Sequence, residues 1–423
     1  MSLIKQIIFI IFLSVSLQAQ GVMNAFSLGN FHHHQGIETG GDGVMKIVPS
    51  FDRGVSLLNP ASWHKFKFTQ LSISYGGDQN SWSNENSIHG YSGLKNAIWI
   101  IPLKAKGSLG LSLRPYSNQQ VTINQPDSTN FIAFDDTLSL HKSFSRSGGI
   151  SALKFASSIL VNDQLSIGFG LDLLFGSTRQ NESLFFDGSS IVQSGRTRYS
   201  GLIGGLYFGY EFSDKLNVYG SLTSTIEPLN ALYTKRFLFD DANGNGYHDI
   251  SFPYDFPSPD SVGIYDEVRY KQVHDPSGFA VGTSYSLSKN SSVGIEFSQT
   301  KENGLSHESY FMGLQDWVES SNQFNMSFNR YAKAFSLGFM DKFILRSGLT
   351  YKSHALALGD NSITEFGFSA GLGFKFRAVG NQIDLNYYFG KRDYITSYND
   401  ETIQQLQLSV SLADLWFVKR RQK

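Results

Sequence analysis

From about residue 65 onward, apolar side chains recur at every second position in short runs. Leu109, Leu111 and Leu113 alternate with Ser108, Gly110, Ser112 and Arg114. Leu165, Ile167, Phe169, Leu171 and Leu173 alternate with Ser166, Gly168, Gly170 and Asp172. Phe366, Phe368, Ala370, Leu372, Phe374 and Phe376 alternate with Glu365, Gly367, Ser369, Gly371, Gly373 and Lys375. Ile383, Leu385, Tyr387 and Phe389 do the same with Gln382, Asp384, Asn386 and Tyr388. A period of two with one wholly apolar face predicts strands whose apolar face is out of water. The opposite face is small and polar, with charges in mid-strand. A soluble sandwich buries the apolar face, whereas a membrane barrel turns it to lipid.

The connections separate these two architectures. Strands are predicted at 66–75, 93–103, 107–116, 147–161, 164–176, 196–212, 215–226, 274–287, 291–301, 324–340, 342–353, 362–377, 380–394 and 402–413, fourteen in all. Short turns at 104–106, 162–163, 213–214, 288–290 and 378–379 alternate with longer connections at 76–92, 117–146, 177–195, 227–273, 302–323, 354–361 and 395–401. Outer-membrane barrels have short periplasmic turns and long external loops. The fold class expected is therefore all-β, a transmembrane antiparallel β-barrel of about 14 strands. In the tenth segment the apolar parity switches between Phe328 and Phe335, which predicts a bulge or a later start.

Lys5, an apolar run from Ile7 to Leu17 and then Gln18-Ala19-Gln20 read as a signal peptide over residues 1–19, cut after Ala19. The run is short of the ~20 residues that a membrane-spanning helix needs. Residues 20–65 lack alternation. They are read as a segment that starts on the short-turn side and enters the lumen as an N-terminal hatch, with the barrel at 66–423. The expected location is the outer membrane of a Gram-negative bacterium.

Composition narrows the function. With 35 basic and 36 acidic residues the net charge is −1, which offers nucleic acid no general attraction. Aromatic residues at 14% exclude a disordered chain. The absence of Cys removes disulfides, thiolate metal sites and thiol nucleophiles. None of the ten His stands in mid-strand beside a plausible Ser nucleophile, so the chain is not read as an enzyme.

Several segments resemble, in this order, the FadL/TodX family of outer-membrane transporters for hydrophobic compounds. Asn59-Pro60-Ala61 stands just before the first strand, where that family's hatch ends. Gly110-Leu-Ser-Leu-Arg-Pro-Tyr-Ser117 is similar to its third strand, and Leu165 to Gly176 to its fifth. Leu345 to Tyr351 and the ending Leu412 to Arg421 resemble its C-terminal half. The resemblance implies a fourteen-stranded barrel, a lumenal hatch including Asn59, Pro60 and Ala61, and a third strand that opens the wall sideways at Arg114, Pro115 and Tyr116.

Pro115 lacks the N–H that a ladder needs, so it marks either the end of a strand or an interrupted wall. The inward parity collects Arg114, Asp172, Glu296, Arg346, Glu365, Lys375 and Asp384. In a wet lumen such charges cost little, and they would stiffen the barrel or hold a plug. Inward Ile203, Tyr207, Tyr219, Ile344 and Tyr388 could instead line an apolar path. Asp241, Asn243, Asn245 and Asp249, with the Tyr247 carbonyl, match positions 1, 3, 5, 9 and 7 of a calcium loop that lacks its twelfth-position Glu. The alternative is an Asn-Gly turn. No cofactor is required, and Ca²⁺ is the one ion suggested. His32-His33-His34, if extended, point to alternate sides and do not converge on one metal.

The expected function is passage of hydrophobic compounds, such as long-chain fatty acids, through a hatch-gated barrel with a lateral exit. The alternative is a non-catalytic barrel that acts as scaffold or carrier in a secretion or surface complex. The expected partners are a hydrophobic small molecule, outer-membrane lipid and, on the alternative, proteins of that complex. A continuous apolar groove from loops to wall would favour transport. A plugged, charge-filled lumen would favour the scaffold.

Overall fold

The computed structural model describes residues 21–82, 88–103, 107–124, 129–133, 136–186, 189–236, 238–245, 248–249, 251–252, 254–256, 264–303, 317–333, 338–357, 362–376, 381–394 and 400–414. The expected signal peptide lies outside the described residues, as does Tyr247.

The strands are β1 Asn30–Phe31, β2 Thr69–Trp82, β3 Ile88–Leu103, β4 Gly107–Asn118, β5 Val121–Asn124, β6 Thr129–Ala133, β7 Asp136–Leu160, β8 Leu165–Phe186, β9 Ser189–Glu211 and β10 Leu216–Arg236. They continue as β11 Phe239–Asp240, β12 Ile264–His274, β13 Pro276–Ser288, β14 Ser291–Glu302, β15 Val318–Arg330, β16 Phe343–Leu356, β17 Ser362–Lys375, β18 Gln382–Tyr394 and β19 Glu401–Asp414. Each wall strand pairs antiparallel with its neighbours, and β19 closes on β2 from Glu401↔Trp82 to Asp414↔Thr69. Counting β12 and β13 as one broken strand, and leaving aside the short β1, β5, β6 and β11, the barrel has 14 strands.

The period-two pattern has the expected physical meaning. On β19 Leu408 is 48% exposed while Gln407 and Ser409 are fully buried. The outer surface is a belt of Leu, Ile, Phe and Tyr, and the β19–β2 ladder closes the sheet on itself, as a wall in hydrocarbon requires. A closed barrel with an apolar outside is a Gram-negative outer-membrane protein.

Three expectations need correction. The tenth wall strand, β15, is not 324–340 but Val318–Arg330, and its parity is regular. Phe335 is outside the described residues, beyond the end of the strand, and the chain returns through a 3-10 turn at Phe339–Lys342. The supposed loops at 117–146 and 177–195 are largely strand, and 227–273 begins and ends in strand, with β10 running to Arg236 and β12 starting at Ile264. Ladders need hydrogen bonds, not alternation, so β7 to β10 continue past the lipid belt for totals of 25, 22, 23 and 21 residues. Finally, the segment before β2 starts at the long-loop end, not the short-turn end. Gly21 sits beside Asn80 and Glu401, and the chain then descends the lumen to Lys65, which pairs with Glu211 at 2.6 Å near the short turns.

Candidate functional site in the barrel lumen

Residues 21–66 occupy the lumen, and most of them are buried. They form no long element because their shape is set by the wall around them. Met23 and Phe26 pack with Leu356, Ile363 and Tyr394 at the long-loop end. Ile37, Val44, Met45, Ile47 and Val48 pack on Tyr219, Tyr388 and Ile403 at mid-height. Phe51, Leu57 and Trp63 pack on Ile98 and Ile100 lower down. Wall glycines, Gly110 and Gly168 among them, are needed for this fit. A Cβ at Gly110 would lie 2.3 Å from the Trp63 ring, and one at Gly168 would lie 2.7 Å from the Ala61 nitrogen.

Asn59, Pro60 and Ala61 open the 3-10 turn Pro60–Lys65. The Asn59 side chain accepts from the Ala61 N–H at 3.0 Å and donates to the Ile47 carbonyl at 2.8 Å. Pro60 at the first turn position has no N–H to leave unpaired. This motif ties the lower part of the segment to its middle.

The inward charges named from sequence are brought into the lumen, but its environment is not the wet one expected. Glu296 accepts from the N–H groups of Lys46, Ile47 and Val48 at 3.1, 2.8 and 3.0 Å and from the Asn325 amide. Arg346 donates to the carbonyls of Ser50 and Phe51, both at 2.9 Å, and pairs with Asp384 at 2.6 Å. Glu365 accepts from Lys352 and Arg392, both at 2.7 Å, and from the Tyr388 hydroxyl. Lys375 meets Asp52 at 3.0 Å at the half-exposed lower rim. Asp172 lies 3.8 Å from both Arg114 and Lys154.

Parity alone did not single out Arg146, Lys352, Arg392 and Glu401, although they share it. Arg146 donates to the carbonyls of Ser27 and Asn24, both at 2.7 Å. Lys352 donates to the His34 carbonyl at 2.6 Å, and Arg392 bridges Glu365 to Glu401 at 3.0 Å. Extending the inward parity of Arg346 and Asp384 up the same strands reaches Lys352 and Arg392. Arg146 stands beyond the apolar belt, where no pattern signals it.

Two carboxyl groups of the inner segment are electrostatically perturbed, in opposite directions. Burial would raise the Glu38 carboxyl, but Lys46 at 3.1 Å and Arg114 at 3.5 Å outweigh it and hold the group below its ordinary range. Asp42 is pushed up to about 7 by burial, although the Leu57 N–H and Arg346 act the other way. A raised carboxyl favours the fold while protonated, and that contribution fades as pH climbs from the ordinary value toward 7. Asp42→Asn is therefore expected to gain on the parent protein between pH 5 and 8 by at most ~3 kcal/mol. Denaturation midpoints at the two pH values measure this, and an equal difference at both would refute it.

At the wall, β3 pairs with β4 only from Leu103↔Gly107 to Ala97↔Leu113. Beyond Leu113, next to Arg114 and Pro115, the two strands part. The vacated edge of β4 is taken by β1, with Phe31↔Ser117 and Asn30↔Asn118. Pro115 sits at a register shift between β4 and β7, as its missing N–H requires. Tyr116 shares a hydrogen with His274 Nε2 at 2.8 Å and meets the Phe31 ring edge-on. Beside it is a cavity of about 180 Å³ lined in part by His33, Glu38, Arg114, Ile203 and Tyr207. His32-His33-His34 form a 3-10 turn rather than an extended run, and burial lowers all three imidazoles.

In the 238–256 region, the side-chain amides of Asn243 and Asn245 both donate to Asp249 Oδ2 at 2.6 Å, and the Asn245 N–H reaches Asp241 at 3.2 Å. Asp255, absent from the sequence motif, accepts from the N–H groups of Ala242 and Asp249 at 3.0 and 2.6 Å. Among the described residues no group of three or more His, Cys, Asp or Glu is arranged to hold a metal ion.

A family model described as BamG matches residues 3–423. The chain belongs to the BamG family. No curated protein matches the chain in sequence. The solved structures similar to this BamG-family barrel include the CymD monoaromatic hydrocarbon channel, at 13% identity and TM-score 0.55, over 92% of this chain and 99% of that one. A Pseudomonas aeruginosa FadL homologue matches at 13% identity and TM-score 0.54, over 86% and 98%. The Pseudomonas putida toluene transporter TodX matches at 12% identity and TM-score 0.50, over 95% and 99%. At such identities the likeness concerns the fold: this BamG-family chain is a divergent FadL-like barrel.

Proposed function

We propose that this chain is a non-catalytic outer-membrane scaffold, a barrel held shut that offers its wall and its tall long-loop end to partners in a secretion or surface complex. The bonding of the inner segment carries this reading. Arg146 on β7, Glu296 on β14 and Arg346 and Lys352 on β16 each hold main-chain groups of residues 24–51. A segment that swung aside for cargo would strip partners from all of these buried groups, at about 1–3 kcal/mol for each and more for charges. The height of β7 to β10, 21 to 25 residues where ~9–11 suffice to cross a bilayer, supports it too.

A second reading rests on the parted β3 and β4. In it hydrophobic compounds such as long-chain fatty acids enter at the long-loop end, the inner segment shifts as a hatch, and cargo leaves sideways past Arg114, Pro115 and Tyr116. The bilayer would favour that exit by ~0.8 kcal/mol per CH₂.

A cross-link separates the two. A Cβ at Gly40 would lie 2.8 Å from that of Ser409, so Gly40→Cys with Ser409→Cys can form a disulfide after a shift of ~1 Å. The natural chain has no Cys to interfere. The scaffold reading expects the oxidised variant to remain in a fixed-stoichiometry complex with its partners, and fatty-acid uptake to be the same with or without the protein. Uptake that requires the protein, is lost on oxidation and returns on reduction would overturn it in favour of transport.

We also propose that Asp241, Asn243, Asn245 and Asp249, with Tyr247, take Ca²⁺ once the two amides turn their oxygens inward. Oxygen donors suit this hard ion. Calorimetry is expected to register weak calcium binding to the parent and none to Asp241→Ala; identical traces would refute the site.

A further inference from the structure

A second cavity, of about 820 Å³, opens on the outside of the wall where β8, β9, β10, β13 and β14 pass. Its apolar lining is made of Phe169, Leu206, Leu222, Ile226 and Phe279, all between 41% and 62% exposed, so it faces the lipid. The hollow exists because large side chains are missing from its middle: Gly204 on β9, Ser224 on β10 and Ser277 on β13 stand among these rings and branched chains. Sheet geometry deepens it. β9 and β10 slip register on either side of Glu227, and β10 leaves β13 at Ser224↔Ser277 before it joins β12 at Leu229↔His274. Two threonines mend the break, as Thr225 donates to the Pro276 carbonyl at 2.9 Å and Thr223 to that of Gly278 at 3.3 Å.

The rim is polar on one side only. Gln299 and Lys301 line the cavity from β14, above the last lipid-facing aromatic of that strand, Phe297. Lys301 is exposed and has no ion pair or side-chain hydrogen bond among the described residues. An apolar hollow in the lipid-facing wall, with an exposed cation at its rim that no described residue pairs, is complementary to an amphiphile with a negative head. A flat protein face would cover such a hollow without filling it.

We propose that this cleft binds an anionic membrane lipid, one acyl chain lying over Gly204, Ser224 and Ser277 between Leu206 and Phe279, and the phosphate beside Lys301. The volume is in the range of ~300–1,000 Å³ typical of small-molecule sites. The chain replaces the rings and methyl groups that would otherwise cover Gly204, and the head uses a charge that no described residue neutralises.

The test uses the full chain purified in detergent, with retained lipid counted by native mass spectrometry. The probes are phosphatidylglycerol and phosphatidylcholine of identical chains. The parent is expected to keep one phosphatidylglycerol through detergent washing and to prefer it about fivefold, the ratio expected of one basic residue at an anionic headgroup. Lys301→Gln should erase the preference and keep the chain contact. Ser224→Trp, which fills the cleft, should release both lipids, and Ser224→Leu repeats the test with a smaller side chain. Heat-modifiable gel mobility identifies the variants that remain folded barrels. Equal retention by parent and both Ser224 variants would overturn the site, and equal affinity of the parent for the two lipids would overturn the headgroup assignment. A dimer abolished by Ser224→Trp with lipid retention unchanged would give the cleft to a second copy of this chain and refute the proposal.

Discussion

Glu365→Ala is expected to destabilise the barrel by about 3–5 kcal/mol, the cost of leaving buried charges without their counter-ion. Glu365 is 1% exposed, and its carboxylate serves Lys352, Arg392 and the Tyr388 hydroxyl together. Its removal leaves two cations facing each other, and among the described residues Glu401 is then the one carboxylate paired with either, at Arg392. Lys375→Ala is the contrast. Its pair with Asp52 is 21% and 38% exposed, and water screens it, so its loss should cost at most ~1 kcal/mol. Denaturant unfolding or the temperature of the gel-mobility shift compares the two. Equal effects would mean that the upper lumen is as wet as the lower rim.

Glu296→Ala is expected to open an ion leak where the parent is closed. One carboxylate satisfies the N–H groups of Lys46, Ile47 and Val48, which face the wall at mid-height. Three orphaned N–H groups cost about 1–3 kcal/mol each, so the middle of the segment should detach while Arg346 and Asn59 still hold its lower part. Planar-bilayer conductance and proteolysis near residues 44–50 read this out. Glu296→Gln keeps one acceptor oxygen and should leak less. A silent Glu296→Ala would show that apolar packing on Tyr219 and Tyr388 alone keeps the lumen shut.

The wall was legible in the sequence because lipid on one side and polar groups on the other impose a period of two. Leu109 to Arg114 and Phe366 to Lys375 carry it openly, and the turns between them are short. Where the wall leaves the bilayer the pattern stops while the ladder continues, so the first half of β7, before residue 147, and nearly all of β12 looked like loops. The inner segment was legible only as a stretch without alternation. Its direction and its contacts depend on wall residues more than 360 positions away, such as Gln405 at Ile37, 368 positions on, and no local pattern records them. Arg114 and Pro115 stood out because a proline in a ladder is costly, but the strand that replaces β3 there, Asn30–Phe31, is two residues long and carries no signal.

The crossing bonds also set an order of events in biogenesis. Residues 21–66 precede the wall strands in the chain, yet they find partners on strands made late: Arg346 for Ser50, Asn386 for Gly40, and Gln405 and Gln407 for Ile37. Such distant pairings are slow to form, because the entropy of closing a long loop is spent before any bond returns it. The N-terminal stretch must therefore wait, unsheltered, until β18 and β19 exist, and the step that zips β19 to β2 is also the step that gives it a place to go. A chain that lost its last strand would fail twice, with an open seam and a homeless N-terminus, and a periplasmic chaperone for this protein would have to guard its beginning longest.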